Sequence, residues 1–285
     1  MTHPRGAHDA ALLDLPLPAG RLRFQRLGQG PDVVFLHGLL GMGAQWQPLA
    51  ARLAPRCTCW LLELPGLSAS DPIADMSLPG LRRWLEQALA GLGLRRFDLV
   101  GASWGGGLAL EFALASPWRT RLRRLVLAAP IHPYWSPAPR QRLLLSSPWT
   151  QLAAATGAWL PHRLAATFLA MSFGDPARMP PGSVARYRAL LRQPGLAAAV
   201  RGCARTLRPD LARIAAALAS PSPLAGAAPL LLWGSRDRIV PAATAERLCR
   251  HLPAAHLRLL PGLGHLAFEE APDAFAAALG GAEVP

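Results

Sequence analysis

The hexapeptide "GASWGG" at 101–106 sets one serine, Ser103, among small residues directly after the apolar run Phe97-Asp98-Leu99-Val100. A hydroxyl is a poor nucleophile until a neutral imidazole accepts its proton, and the resulting imidazolium needs a fixed negative partner. Gly101-Ala102-Ser103-Trp104-Gly105 fits Gly-x-Ser-x-Gly, with a strand-like run before it and a helix-like run after it. Such a turn strains the serine backbone, and a Cβ two positions to either side meets the neighbouring strand or helix. Gly106 and Gly107 extend the small surface, so that a helix can approach a sheet closely. In a chain rich in Gly and Ala, the pentapeptide alone also fits a polar loop that needs small neighbours.

Three further segments bear on the choice. "FLHGLLG" follows the run beginning at Asp32, and a turn after His37-Gly38 can aim the Leu39 N–H at a developing oxyanion, with the Trp104 N–H as its counterpart. "LLLWGSRDRIVP" places Asp237 just beyond an apolar run, where a carboxylate can orient an imidazole; it also suits a turn-capping aspartate or a partner of Arg236 or Arg238. "LPGLGHLAFEEAP" sets His265 in a glycine-flanked loop, a position where a histidine can equally be inert. The chain order serine, acid, histidine, each after a strand-like run, favours the catalytic reading. Glu269 and Glu270 suit a helix start, where carboxylates meet the positive end of the helix dipole.

The elements that must position these groups alternate. Apolar runs at 32–38, 57–66, 97–103, 122–130, 229–235 and 256–262 suit strands buried on both faces of a parallel sheet. Helical patterns lie between them, including "SLPGLRRWLEQALAGLG" with Leu81, Trp84, Leu85 and Leu89 on one face. The alternation predicts an α/β fold: a mostly parallel sheet flanked by helices, with right-handed connections. The expected core is 20–130 with 229–285, after an N-terminal extension over 1–19. From Ile131 to Ala228 no strand is evident, and nearly a hundred residues are too many for a loop, so 131–228 is expected to be a helical lid inserted after the strand ending near Pro130.

Within that insert, Trp149, Trp159, Phe168, Met171 and Phe173 either line an apolar pocket or hold the lid to the core. The stretch 143–161 is uncharged and flanked by Arg140, Arg142 and Arg163, but Pro148, Gln151, two serines and two threonines argue against a membrane span. A lid packed over a pocket is the expectation, with weak contact to a membrane surface as the alternative. His132, in "PIHPYW", with Tyr134 and Trp135, fits either a pocket wall or a lid hinge held by prolines.

The 285 residues are 51% hydrophobic, enough for a substantial core, and the formal charge is +13. All 30 basic residues are arginine, scattered singly and in pairs such as Arg82-Arg83, with no aromatic-interleaved stripe, so nucleic acid is not an expected partner. Cys57, Cys59, Cys203 and Cys249 form no CxxC pair, and buried free thiols are expected. The first twenty residues lack an apolar core after a basic start, which makes a secretory signal improbable and a cytoplasmic location the expectation. No metal-ligand spacing, phosphate loop or nucleotide fingerprint is evident, so neither metal nor cofactor is expected. Oligomeric state is not legible.

With "HGLLG", "ELPGLSASDP", "GASWGG", "WGSRDRIVP" and "GHLAFEEAP" in this order, the chain resembles the α/β-hydrolase superfamily over roughly Leu22 to Ala278, the lid being unmatched. The resemblance implies the α/β-hydrolase fold, with Ser103 as nucleophile, His265 as general base and then acid, Asp237 as orienting carboxylate, and the amides of Leu39 and Trp104 as oxyanion hole. It gives His37 and Gly38 the task of supporting the oxyanion loop. One departure concerns the segment Glu63 to Ser70, where Ser68 replaces the second glycine of Asp-x-Pro-Gly-x-Gly-x-Ser. The implied activity is hydrolysis of a hydrophobic small-molecule carboxylic ester through an acyl-enzyme. The alternatives are carbon–carbon bond hydrolysis or cofactor-free haloperoxidase-type chemistry on the same triad, and a non-catalytic accessory role on the same fold.

Overall fold

The computed structural model describes residues 11–136, 162–220, 224 and 228–280. Among these residues eight strands form one sheet: β1 (Leu13–Leu17), β2 (Gly20–Leu27), β3 (Asp32–Leu36), β4 (Thr58–Leu62), β5 (Phe97–Ala102), β6 (Leu122–Ala128), β7 (Leu230–Gly234) and β8 (His256–Leu260). Their order is β1-β2-β4-β3-β5-β6-β7-β8. The β1–β2 and β2–β4 pairs are antiparallel and every later pair is parallel. The six runs read from sequence are the six strands from β3 onward. The expected N-terminal extension needs correction, because β1 lies inside it and pairs with β2 from Leu13↔Phe24 to Leu17↔Gly20. Its Pro16 removes an amide donor, which an edge strand tolerates.

Alternation along each strand divides the core into two layers. Val34, Leu36, Leu99, Leu125, Leu127 and Trp233 face α2 (Leu78–Gly91) and α3 (Trp104–Ala115). Val33, Phe35, Val100, Val126 and Leu232 face α1 (Gln47–Leu53) and the C-terminal helix Pro272–Gly280. There Trp46 stacks on Phe268 with ring centroids 3.8 Å apart, and Phe35 and Phe275 close around the pair. Burial on both faces is what makes the strands apolar throughout, as the sequence suggests.

Between β6 and β7 the described residues contain no strand. They form α4 (His162–Ala170), α5 (Ser183–Leu191) and α6 (Leu196–Leu218). This insertion is tied to the core through Asp210, which is buried on α6 and accepts a hydrogen bond from the Leu78 N–H at the start of α2, 2.9 Å away. That amide is one of the donors a helix start leaves without an internal acceptor, and Ser77 caps the next turn by accepting from Gly80. After β7 comes α7 (Ala245–Cys249); after β8 come α8 (Ala267–Glu270) and α9 (Pro272–Gly280). The stretch 143–161, with Trp149 and Trp159, lies outside the described residues. Among the described residues no helix is long and apolar enough to cross a membrane. Cys57, Cys59, Cys203 and Cys249 are free, and burial pushes the Cys59 and Cys203 thiols up to about 12.

Candidate active site

β5 runs into α3 through one residue, Ser103, whose φ of 52° and ψ of −114° place an L-residue where few are found. Such a conformation costs on the order of 1–3 kcal/mol and persists only when its surroundings over-determine it. Here they do. The Ser103 N–H donates to the Ala128 carbonyl (2.9 Å), and the Ser103 carbonyl accepts from Gly107 and Ile131 (3.0 Å each). The glycines two positions away are sterically required: a Cβ on Gly101 would lie 2.3 Å from the Gly105 carbonyl oxygen, and one on Gly105 2.4 Å from the carbonyl oxygens of both Leu36 and His37. Gly107 is packed against Ile131 in the same way, with a Cβ falling 2.4 Å from its Cγ1.

The acid and the histidine arrive on neighbouring strands. Asp237 follows β7 and is buried, and its Oδ2 lies 2.7 Å from His265 Nδ1. Its other oxygen accepts from the Ile239 and Val240 amides at 2.8 and 2.9 Å. The turn-capping role and the imidazole-orienting role are thus both filled, one by each oxygen. An ionised carboxylate can only accept, so His265 carries its proton on Nδ1 and leaves Nε2 as an acceptor. Backbone bonds continue the sheet edge across these loops: Ala129 to Leu232, Ser235 to Leu260 and Arg236 to Leu263. Ser103, Asp237 and His265 therefore share the C-terminal edge of the parallel strands. The structure joins the second to the third, while among the described residues no hydrogen bond joins Ser103 Oγ to the imidazole.

Gly38 abuts the serine so closely that a Cβ there would lie 3.0 Å from Ser103 Cβ. The Gly41 N–H donates to the Gly38 carbonyl (3.0 Å), closing a turn with Leu40 in the left-handed region at φ 58°. This turn carries Leu39. Trp104 is the first residue of α3, where backbone N–H groups lack helix partners and the dipole favours negative charge. Of the two residues named from sequence for their amides, Leu39 thus follows the glycine that abuts the serine, and Trp104 follows the serine itself at the start of α3.

His37 is fully buried. Its Nε2 accepts from the Leu64 N–H (2.9 Å) and lies 2.9 Å from Ser68 Oγ, so the ring proton is on Nδ1, which donates to the Gly38 carbonyl (2.8 Å). Burial holds its pKa below the usual value, against the opposing pull of Glu63 and the Gly38 carbonyl. The ring thus fastens the turn to the loop after β4. Ser68, the departure from the family pattern, supplies one of the contacts; it has no positive φ and its N–H donates to Leu64, so the loop needs no glycine there.

His132, Tyr134 and Trp135 spend their contacts elsewhere. His132 Nε2 lies 3.1 Å from Thr244 Oγ1 and its ring meets Trp233 edge-on; Tyr134 stacks on His251, and Trp135 Nε1 donates to the Ile239 carbonyl. Burial holds His132 down to about 4. A small cavity beside the Gly38–Gly41 turn is lined by Leu40, Met42, Gln45, Leu169, Arg186 and Tyr187, with Ser183 and Glu269. Of the apolar residues named in the insert, Phe173 is fully buried against Ala165, Leu169 and Val184.

Glu269 and Glu270 do more than start a helix. Both are buried in the short helix α8, and their bonds run to other segments. Glu270 accepts from the amides of Gly174, Asp175 and Gly264, and Glu269 binds Gln45, Ser183 and Arg186. Burial raises the Glu269 pKa, opposed by Arg186 and by the hydrogen bonds it accepts. Among the described residues no group of three or more His, Cys, Asp or Glu side chains is arranged to hold a metal ion.

Comparison with known proteins yields a match to the model of the alpha/beta hydrolase family over residues 33–278. A pimeloyl-[acyl-carrier protein] methyl ester esterase of Xanthomonas campestris pv. campestris is 30% identical over 256 residues, covering 89% of this chain and 95% of that one. The solved structure of 2-hydroxy-6-oxo-6-phenylhexa-2,4-dienoate hydrolase from a Rhodococcus species superposes with a TM-score of 0.78 at 22% identity, over 95% of this chain and 98% of the other. An epoxide hydrolase structure is similar at a TM-score of 0.79 and 17% identity, over 95% and 97%. The last two likenesses concern the fold alone.

Proposed function

The chain belongs to the alpha/beta hydrolase family, and from that premise we propose that it cleaves carboxylic esters of hydrophobic small molecules through an acyl-enzyme formed on Ser103. His265 Nε2 takes the hydroxyl proton as Ser103 Oγ attacks the ester carbonyl. The imidazolium that forms is stabilised by Asp237 at Nδ1. The carbonyl oxygen, now negative, is met by the N–H groups of Leu39 and Trp104; losing one such donor costs about 10²- to 10³-fold in rate. Collapse of the tetrahedral intermediate expels the alcohol, which takes the proton from His265. Water then attacks the acyl-serine with His265 again as base; the second tetrahedral intermediate expels Ser103 Oγ, which takes the proton back from His265, and the acid leaves.

The observation that carries this reading is the buried 2.7 Å imidazole–carboxylate pair, which leaves Nε2 as an acceptor at the sheet edge where the strained serine sits. An apolar acyl group would lie against Leu40, Met42, Leu169 and Tyr187 beside the oxyanion turn once the insertion, acting as a lid, opens the water-sized space that these residues share with Gln45, Ser183, Arg186 and Glu269. The methyl ester esterase name of the Xanthomonas relative supports a small alcohol leaving group. A panel of methyl and p-nitrophenyl esters of graded acyl length, beside a vinylogous diketone, tests the proposal. Preference for medium-length or bulky hydrophobic esters is expected. Turnover of the diketone alone, or activity confined to acetyl and charged esters, would overturn it.

A further inference from the structure

The two carboxylates that follow the histidine join three parts of the molecule. Glu270 Oε2 accepts from Gly264, the residue before His265, at 2.8 Å, and from Gly174 of the insertion at 2.9 Å; Oε1 accepts from Asp175 at 2.9 Å. On the other side of the histidine, the Leu266 N–H donates to the Ser172 carbonyl at 3.0 Å. His265 is thus flanked by two residues whose amides are both anchored where the insertion meets the histidine loop. The backbones there touch: a Cβ on Gly174 would lie 2.1 Å from the Gly262 carbonyl oxygen, and one on Gly264 2.3 Å from the Gly174 nitrogen. Glu269 faces another way. It accepts from Gln45 Nε2 (3.1 Å), whose Oε1 accepts from the Met42 N–H just beyond the oxyanion turn, and from Ser183 and Arg186 of α5.

We infer that Glu269 and Glu270 are positioning residues with divided roles: Glu270 fixes the His265 backbone against the segment Ser172–Asp175, and Glu269 fixes the cavity wall between the oxyanion turn and α5. Neither touches the reacting atoms. The segment 172–175 therefore belongs mechanically to the histidine mount, and a lid motion that displaced it would disengage the base. This rests on the assignment of His265 as base.

The test compares Glu270→Gln, Glu269→Gln and Ser103→Ala on p-nitrophenyl hexanoate across pH. An amide at 270 offers one acceptor oxygen where three N–H donors converge, so its NH₂ faces a donor and the loop shifts. A displacement of about 1 Å at the base is worth about 10²-fold in rate. Glu270→Gln is expected to lose about that much kcat with KM within about threefold. The acid limb of kcat/KM should move to lower pH, because a histidine less firmly held by Asp237 loses stabilisation of its charged form. Glu269→Gln is expected to raise KM and leave that limb in place. If Glu270→Gln does not fold, Gly174→Ala wedges the same junction from the insertion side and should give the same signature. Wild-type kcat and acid limb in the 270 variant, or an identical signature from both glutamates, would overturn the inference. Ser103→Ala separates the failures: an inactive alanine variant beside an unaltered Glu270→Gln sinks only the division of roles, whereas an active one removes the assignment beneath it.

Discussion

Asp237→Asn is nearly isosteric, and the structure dictates how the new amide must sit. The Oδ1 position receives the N–H groups of Ile239 and Val240 at 2.8 and 2.9 Å, so the amide oxygen has to occupy it; the NH₂ there would face two donors. The NH₂ is then directed at His265 Nδ1, 2.7 Å from the original Oδ2. A donor at that point requires an unprotonated Nδ1, which moves the ring proton to Nε2, the atom that should accept from the serine. The base is lost to the wrong tautomer while the fold is kept. The same swap in a serine protease costs about 10⁴-fold in kcat, or about 5.5 kcal/mol of transition-state stabilisation. Steady-state hydrolysis of p-nitrophenyl hexanoate by wild type and variant, with thermal unfolding as the control for folding, measures it. A folded variant within about tenfold of wild-type kcat would refute the orienting role of Asp237.

Two further substitutions probe the frame. His132 is buried and held down to about 4, against about 6.5 in an unfolded chain, so its neutral form is the one the fold accommodates. Its contribution to stability is fully present above about pH 6.5 and is lost as pH falls toward 4; between about pH 7 and pH 4.5 the loss is about 2 kcal/mol. Urea unfolding at the two pH values should show that much less acid sensitivity in His132→Gln, and an unchanged acid sensitivity would count against a buried neutral ring. Gly105→Ala places a methyl 2.4 Å from two carbonyl oxygens of the β3 end, forcing α3 off the sheet. Overpacking of this kind costs about 1–3 kcal/mol, which calorimetry would register as a fall of several degrees in Tm together with reduced esterase activity. A Tm equal to wild type would mean that the helix does not approach β3 so closely.

What could be read in the sequence follows from how local each signal is. The serine turn is legible because its glycines lie within two residues of Ser103, and the Asp237–His265 pair because each residue follows closely on an apolar run. The strands from β3 onward are legible because burial on both faces makes them apolar throughout. Leu13–Leu17 is not, since its residues are mostly exposed or half-buried and its two-stranded edge tolerates a proline. Ser68 looks like the loss of a glycine and proves to be a contact of His37, 31 residues away. Glu269 and Glu270 resemble helix-start carboxylates because sequence shows only their neighbours in the chain. Their acceptors serve backbone amides and side chains as far away as Gln45, and long-range bonds to amides leave no residue-type signature. His132, Tyr134 and Trp135 are a second case: beside a strand end they suit a pocket wall or a hinge, and their packing against Trp233, His251 and the segment 239–244 leaves no signal in the neighbouring sequence.

The central claim is that Ser103 is the nucleophile. Intact-mass measurement after exposure to a fluorophosphonate tests it most directly, because phosphonylation requires a hydroxyl that is both exposed and activated by a base. A single adduct on Ser103 is expected, absent in Ser103→Ala and slowed in Asp237→Asn. A wild-type protein that gains no adduct, or an alanine variant labelled as readily as wild type, would contradict it.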